Sequence, residues 1–307
     1  MKYSHIRIPV YIAGLLLSAI AMSLISACSS DSGDMQNQNF GLIPLKKDCF
    51  GKVVKFSTPE SFIFDETSNC YFISNINGDP FGKDDNGYII KLDSNFRLID
   101  NYFIDGRSEQ VQLNAPKGMA VFDSILYVAD IGNVRAFEVS SGRQLSGIDF
   151  SPFRPKFLND MAVDAIGRLY VSDMLTDRIF MVDTTGEITE IAVLESPNGL
   201  LWDKGGFLYA ACWSPPRIAK IAFSETVRDI LTDENFGQLD GIDVDRRGSL
   251  YFSDHRKGAI YKFDPVNARL DTVLTNMGLP ADISIDRKNN LLLIPDFRGS
   301  CCVYKLN

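Results

Sequence analysis

A six-fold repeat constrains this chain more than any other feature. Its clearest copy runs Leu239-Asp240-Gly241-Ile242-Asp243-Val244-Asp245-Arg246-Arg247-Gly248-Ser249-Leu250-Tyr251-Phe252-Ser253-Asp254. A polar residue opens a short strand, a tight turn starts on Asp, and a second strand ends on Asp. Further copies cover residues 60–75, 117–130, 160–173, 198–212 and 282–296. The opening polar residues are Glu60, Lys117, Asp160, Asn198, Asp240 and Asp282, at intervals of 57, 43, 38, 42 and 42 residues. That period is the length of a four-stranded blade. The expected fold is therefore all-β, a six-bladed β-propeller with four strands per blade.

Five blades find four strand-like runs each, such as Arg168-Leu169-Tyr170-Val171-Ser172, rich in β-branched and aromatic residues with turn residues on either side. The sixth has only three, at 282–286, 291–295 and 300–306. An orphan run, Gly51-Lys52-Val53-Val54-Lys55-Phe56, precedes blade one. It is expected to supply the missing outer strand, so that an N-terminal strand closes the last blade and no long edge stays exposed.

The first residues read as a leader. Lys2 and Arg7 form a basic start, and residues 8–25 are largely apolar. Ile25-Ser26-Ala27-Cys28 resembles the lipobox of bacterial lipoproteins, which implies cleavage after residue 27 and lipidation of Cys28. An ordinary secretory signal and a transmembrane anchor are the alternatives. The expected organisation is a signal peptide at 1–27, a flexible polar tether at 28–43 and the propeller at 44–307. Such a protein belongs to the cell envelope, anchored to a bacterial membrane and either periplasm-facing or surface-exposed. The net charge is −8, and losing Lys2 and Arg7 makes it −10. That balance argues against nucleic acid as a partner, because phosphates reward a basic face. Cys49, Cys70, Cys212, Cys301 and Cys302 form no CxxC pattern and read as small apolar residues, with a Cys49 pairing to Cys301 or Cys302 left open.

Strands of a blade alternate in direction. The start of each first strand and the end of each second strand therefore share one face. The turns opening on Asp164, Asp203, Asp245 and Asp286 lie on the other face, where Asp is a turn former. First strands line the central channel, so the six opening residues converge at its mouth. Carboxylates clustered in that way repel unless paired or bound to a cation. Two arrangements answer this: a wet, hydrogen-bonded plug with Lys117 as counter-ion, or an oxygen-lined cation site. Glu, Asn and Asp are hard donors, suited to one Ca2+ or Mg2+.

At these residues the chain resembles the gluconolactonase/regucalcin family of six-bladed propellers. That family's E-x-P-x-W resembles Glu60-Ser61-Phe62-Ile63-Phe64, with Phe in place of Pro and Trp. Its N-D-G with D-x-x-G-R is similar to Asn159-Asp160-Met161 followed by Asp164-Ala165-Ile166-Gly167-Arg168. Its S-N-G-L resembles Pro197-Asn198-Gly199-Leu200, and its D-G-x-x-x-D resembles Asp240-Gly241 through Asp245. The resemblance spans roughly residues 50–307. It implies that Glu60, Asn198 and Asp240 bind the divalent cation and that Asn159 assists at metal or substrate. Two departures stand out. Phe157 occupies the place of a substrate-binding Arg found in some members, and Lys117 puts a cation in the ring.

The expected activity is metal-dependent hydrolysis of a lactone or related ester, with Asp240 as general base. The alternative is a non-catalytic binding propeller of the NHL type, since fold alone does not set function. His255, Arg256 and Trp213 fall in loops on the mouth face and are candidate contacts for a small, possibly anionic substrate, as are Lys117 and Asp282 in the wall. His255 reads equally as a surface residue, and Trp213 as rim packing. A two-His dyad is excluded, because the other histidine, His5, lies in the leader. No nucleophile elbow, Walker loop or glycine-rich dinucleotide motif is present.

Overall fold

The structure is a computed structural model that describes residues 54–222 and 226–306, together with the backbone of a strand at Ile43–Leu45. The expected leader, Cys28, most of the tether and Cys49 lie outside the described residues. Among the described residues, twenty-four strands form six antiparallel sheets of four strands each. The first strands are Pro59–Asp65, Pro116–Phe122, Leu158–Val163, Pro197–Trp202, Leu239–Val244 and Ser284–Asp286. Each touches the first strand of the next blade, and the last touches the first, so the ring is closed. The fourth strands are the exposed ones, as in Ile188–Val193 and Thr226–Thr232.

There is no single central core. Six apolar clusters each lie between two neighbouring blades. The period of two along a strand divides the side chains between them. In the second strand of blade three, Leu169 and Val171 pack toward blade two while Tyr170 packs toward blade four. In blade five, Leu250 and Phe252 face blade four, and Tyr251 faces blade six. Both faces are buried, so these strands read as continuous apolar runs.

Blade six is closed by an N-terminal strand, but not by the run expected. Ile43–Leu45 pairs with Ser300–Lys305, with Ile43 opposite Lys305 and Leu45 opposite Val303. Within the 51–56 run, residues 54–56 form no strand, and residues 51–53 lie outside the described residues. Val54 and Phe56 instead pack against the cluster between blades six and one. The Lys55 carbonyl accepts the Tyr88 hydroxyl at 2.7 Å, and Ser57 N–H donates to Asn75 Oδ1 at 3.0 Å. Side-chain burial in the seam claims the segment that strand propensity had assigned to the edge.

The turns on the far face behave as expected. Asp164 accepts the N–H groups of Ile166 and Arg168, and Asp245 those of Arg247 and Ser249, all at 2.8–3.0 Å. Cys70 and Cys212 are free thiols, and Cys212 is buried.

Candidate active site

The site is built at the start of the first strands. In five blades the pairing of first and second strands breaks over two residues just past the first pair: after Pro59, Pro116, Leu158, Pro197 and Leu239. A bulge of this kind re-aims side chains. The residues inside the interruption are Glu60-Ser61, Lys117-Gly118, Asn159-Asp160, Asn198-Gly199 and Asp240-Gly241. In blade six the matching anchor is the Pro280–Asp296 bridge, followed by Ala281-Asp282.

This register corrects the expected ring in two blades. The residues equivalent to Glu60, Lys117, Asn198 and Asp240 are Asn159 and Ala281, not Asp160 and Asp282. Those two Asp stand one step further along, level with Ser61, Gly118, Gly199 and Gly241. The channel therefore has two polar layers. The outer one holds Glu60, Lys117, Asn159, Asn198 and Asp240, and the inner one holds Asp160 and Asp282. The glycines make room between neighbours. A Cβ on Gly118 would collide with the Asp160 side chain, and one on Gly241 with the Asp282 backbone.

The inner layer is saturated from within. Ser61 Oγ donates to Asp282 Oδ2 at 2.6 Å, and Leu200 N–H donates to Asp160 Oδ2 at 2.6 Å. Burial pushes the Asp160 carboxyl up to about 7, and burial with the charge of Asp160 pushes Asp282 well above the usual range. Beyond them Asp243 accepts from Ile285 N–H at 2.7 Å and pairs with Arg287. The sequence carried one sign of Asp243, an acidic residue on the strand that lines the channel.

The outer layer is not saturated. Asn159 Nδ2 donates to Asn198 Oδ1, which keeps a second lone pair. Lys117, 1% exposed, donates to the Ala115 and Pro80 carbonyls at 2.9 and 3.0 Å, and its ammonium sits 4.4 Å from the centre of the Phe157 ring. Burial pushes Lys117 down to about 8, against the pull of Glu60. Glu60 is buried, and among the described residues its Oε2 has no hydrogen-bond partner. Burial, then the charges of Asp240, Asp282 and Asp160, hold its carboxyl well above the usual range. Asp240 Oδ2 lies 3.5 Å from His255 Nδ1. Burial alone would lower the His255 imidazole, but the Asp240 carboxylate, with the Pro280 backbone and the charge of Asp296, outweighs it and the net shift is upward.

Of the loop candidates, the structure brings His255 and Trp213 to the mouth, with ring centroids 5.3 Å apart, while Arg256 is exposed. Three neighbours were not foreseen as site elements. Phe297 packs 5.3 Å from His255, Phe81 packs 4.6 Å from Phe157, and Pro80 caps Lys117. Phe81 and Pro80 come from the long connection after the second strand of blade one. A phenylalanine in a loop of that length was the available signal.

The ends of the second strands hold the loops that carry this layer. Asp254 accepts the N–H groups of Gly237, Gln238 and Lys257 at 2.6–3.0 Å. Asp130, Asp173 and Asp296 do the same in blades two, three and six. The loops that enter Lys117, Asn159, Asp240 and Ala281 are thus pinned by buried carboxylates.

A family model described as the SMP-30/gluconolactonase/LRE-like region matches residues 84–284. The chain belongs to the SMP-30/gluconolactonase/LRE-like family. Solved structures of this fold include a gluconolactonase from Xanthomonas campestris, 17% identical over 83% of this chain and 88% of that one, with a TM-score of 0.64. A luciferin-regenerating enzyme is 14% identical over 82% of this chain and 92% of that one, with a TM-score of 0.62. A Bacteroides thetaiotaomicron protein of unknown function is 16% identical over 82% and 70% of the two chains, with a TM-score of 0.65. No curated protein sequence matches the chain.

The donor chemistry of the outer layer fits the divalent cation that family resemblance implies. Glu60 and Asp240 supply carboxylate oxygen, Asn198 an amide oxygen, and Glu60 Oε2 is a buried acceptor without a protein partner. Among the described residues, no group of three His, Cys, Asp or Glu side chains is poised to hold a metal by itself. An ion at this layer would draw on the amide oxygen of Asn198 as well as on the carboxylates.

Proposed function

We propose that this protein is a divalent-metal-dependent hydrolase of a lactone or related ester, exported and held at the cell envelope by lipid on Cys28. The observation that carries the hydrolase reading is the partnerless Glu60 Oε2, buried within the field of Asp240 and in the same layer as the Asn159–Asn198 pair. A buried acceptor of that kind is costly unless a cation or a polar ligand meets it.

Glu60, Asn198 and Asp240 would hold the ion, Ca2+ or Mg2+ by donor type. When bound, it supplies positive charge that polarises the ester carbonyl. Asn159 fixes the Asn198 amide and keeps its oxygen turned to the site. Asp240 takes a proton as water oxygen adds to the acyl carbon. The ring C–O bond then breaks, the leaving oxygen takes up a proton, and a hydroxy acid is released. His255 stands behind Asp240 and holds its position. Lys117 is a fixed positive charge that moderates the carboxylate field.

A second reading, ligand binding without turnover, is favoured by Phe157 and Lys117, which depart from the family's substrate-binding pattern. Metal content and lactone hydrolysis, measured together, separate the two. Wild-type protein dialysed in millimolar Ca2+ or Mg2+ should retain one ion and open a lactone. Asp240→Ala should lose both properties, while Asp245→Ala, on the far face, should keep them. Wild-type protein that retains no ion and opens no lactone would leave the binding reading in its place.

A further inference from the structure

The chain is acidic overall, yet two turns on the far face are basic. In blades five and six the turns between first and second strands read Asp245-Arg246-Arg247-Gly248 and Asp286-Arg287-Lys288-Asn289. The leading Asp of each is spent inside the fold. Asp245 accepts the N–H groups of Arg247 and Ser249. Asp286 accepts Asn289 N–H at 2.9 Å and the Tyr71 hydroxyl at 2.7 Å. Arg246, Arg247 and Lys288 are left exposed, with Arg287 half-buried over Asp243. The equivalent turns of blades one and two expose Glu66 and Asp123 and no basic side chain.

The two basic turns form one surface. Arg246 Nη2 donates to the Lys288 carbonyl and Arg287 Nε to the Val244 carbonyl, both at 2.9 Å. A cleft of about 230 Å3 beside them is lined by Asp245, Arg246, Arg247, Asn290 and Leu306. Leu306 N–H donates to the Asn290 carbonyl at 2.8 Å, which brings the end of the third strand of blade six to the same place, with Lys305 exposed before it. Val266, 88% exposed, stands on the other far-face turn of blade five.

The course of the chain indicates what meets this surface. The strand Ser300–Lys305 runs from the mouth to the far face, and Ile43–Leu45 pairs with it antiparallel, with Ile43 opposite Lys305. The chain therefore enters the propeller at the far face, beside the basic turns. Residues 28–42 join that point to Cys28, and a stretch of that length spans at most roughly 50 Å. A basic patch next to an acyl anchor is a second signal for an anionic membrane, worth about fivefold in partition for each Lys or Arg at the surface. Acidic groups elsewhere on the molecule oppose it little, because salt screens charges beyond about 8 Å.

We infer that the far face of blades five and six rests on anionic lipid headgroups, so that the channel mouth is turned away from the membrane. The orientation rests on the lipid anchor of the proposed function; the headgroup contact stands on the basic turns alone.

The test uses the mature chain, residues 28–307, with Cys28→Ser so that no acyl group contributes. It is sedimented with vesicles of phosphatidylcholine, alone or with one-third phosphatidylglycerol, at about 20 mM and about 500 mM salt. At low salt this chain should bind the phosphatidylglycerol vesicles at least about tenfold more tightly than the neutral ones, and the difference should vanish at high salt. Adding Arg246→Glu, Arg247→Glu and Lys288→Glu together should weaken binding to the anionic vesicles by at least about tenfold, with the urea midpoint unchanged. The same charge change on exposed residues of the mouth face, Lys83→Glu, Arg154→Glu and Lys156→Glu, should weaken it less than about twofold. Equal losses in the two triple variants, or no preference for the anionic vesicles, would overturn the inference. Release from the vesicles by millimolar inorganic phosphate at constant ionic strength would make the cleft a site for a free anion, and would overturn it too. None of these outcomes touches the lipid anchor, because the chain tested carries none.

Discussion

Asp254 is one carboxylate holding three backbone N–H groups. Its replacement by Ala leaves those part-buried donors without their acceptor, each worth on the order of 1 kcal/mol. Asp254→Ala is expected to lose about 2–4 kcal/mol in urea unfolding, with Asp254→Asn losing less. The aspartate of the turn, Asp164, answers to pH. Burial pushes its carboxyl up, but Arg168 and the turn amides outweigh burial and hold it below the usual range. A carboxyl depressed in the fold adds stability above its unfolded value, near about 4, and that stability is lost as pH falls through the folded value. The stability gap between wild type and Asp164→Asn should therefore be full at neutral pH and should close on acidification below about pH 4. Both aspartates were legible as letters of the repeat, but only the turn role was readable. The clasp of Asp254 reaches back 16–17 residues to a loop with no sequence mark. The ring was misaligned at Asp160 and Asp282 for a related reason. Aligning by acidity chose the Asp, whereas the register is set by the residue before the break, Leu158 or Pro280, which points to Asn159 and Ala281.

The strand Ile43–Leu45 is three residues long and offers no alternation to read. The better strand former, the run at residues 51–56, lost the place because Val54 and Phe56 fit the seam between blades six and one. That the last blade lacked a strand was legible by counting; which segment filled it was a matter of tertiary packing. Deleting residues 1–46 removes the outer strand and bares the edge Ser300–Lys305. The truncated protein should unfold at lower urea concentration and associate with rising concentration, as seen by light scattering. If it stays monomeric with an unchanged midpoint, the outer strand contributes nothing to closure. The blade-one loop also escaped the sequence. Its three Asp drew attention, while Pro80 and Phe81 make the contacts with Lys117 and Phe157.

The whole molecule is acidic, and its proposed hold on the membrane is covalent lipid. Cys28→Ser is expected to move the protein from the membrane fraction to the soluble fraction, since stable attachment takes two signals and the basic turns of the far face are only one. Full retention in the membrane fraction would contradict a lipid anchor at this residue. The six apolar wedges between blades have a further consequence. The apolar cohesion of the propeller lies in those wedges, while the axis joins blades through polar contacts of its inner layer, such as Ser61–Asp282 and Leu200–Asp160. Glu60, Asn159, Asn198 and Asp240 can therefore be exchanged without opening a hole in any wedge. A new chemistry needs only a few altered letters at strand starts, whereas an added or lost blade demands that a whole seam be recut. The barrel of blades acts as a chuck, and the outer polar layer is the interchangeable bit it grips.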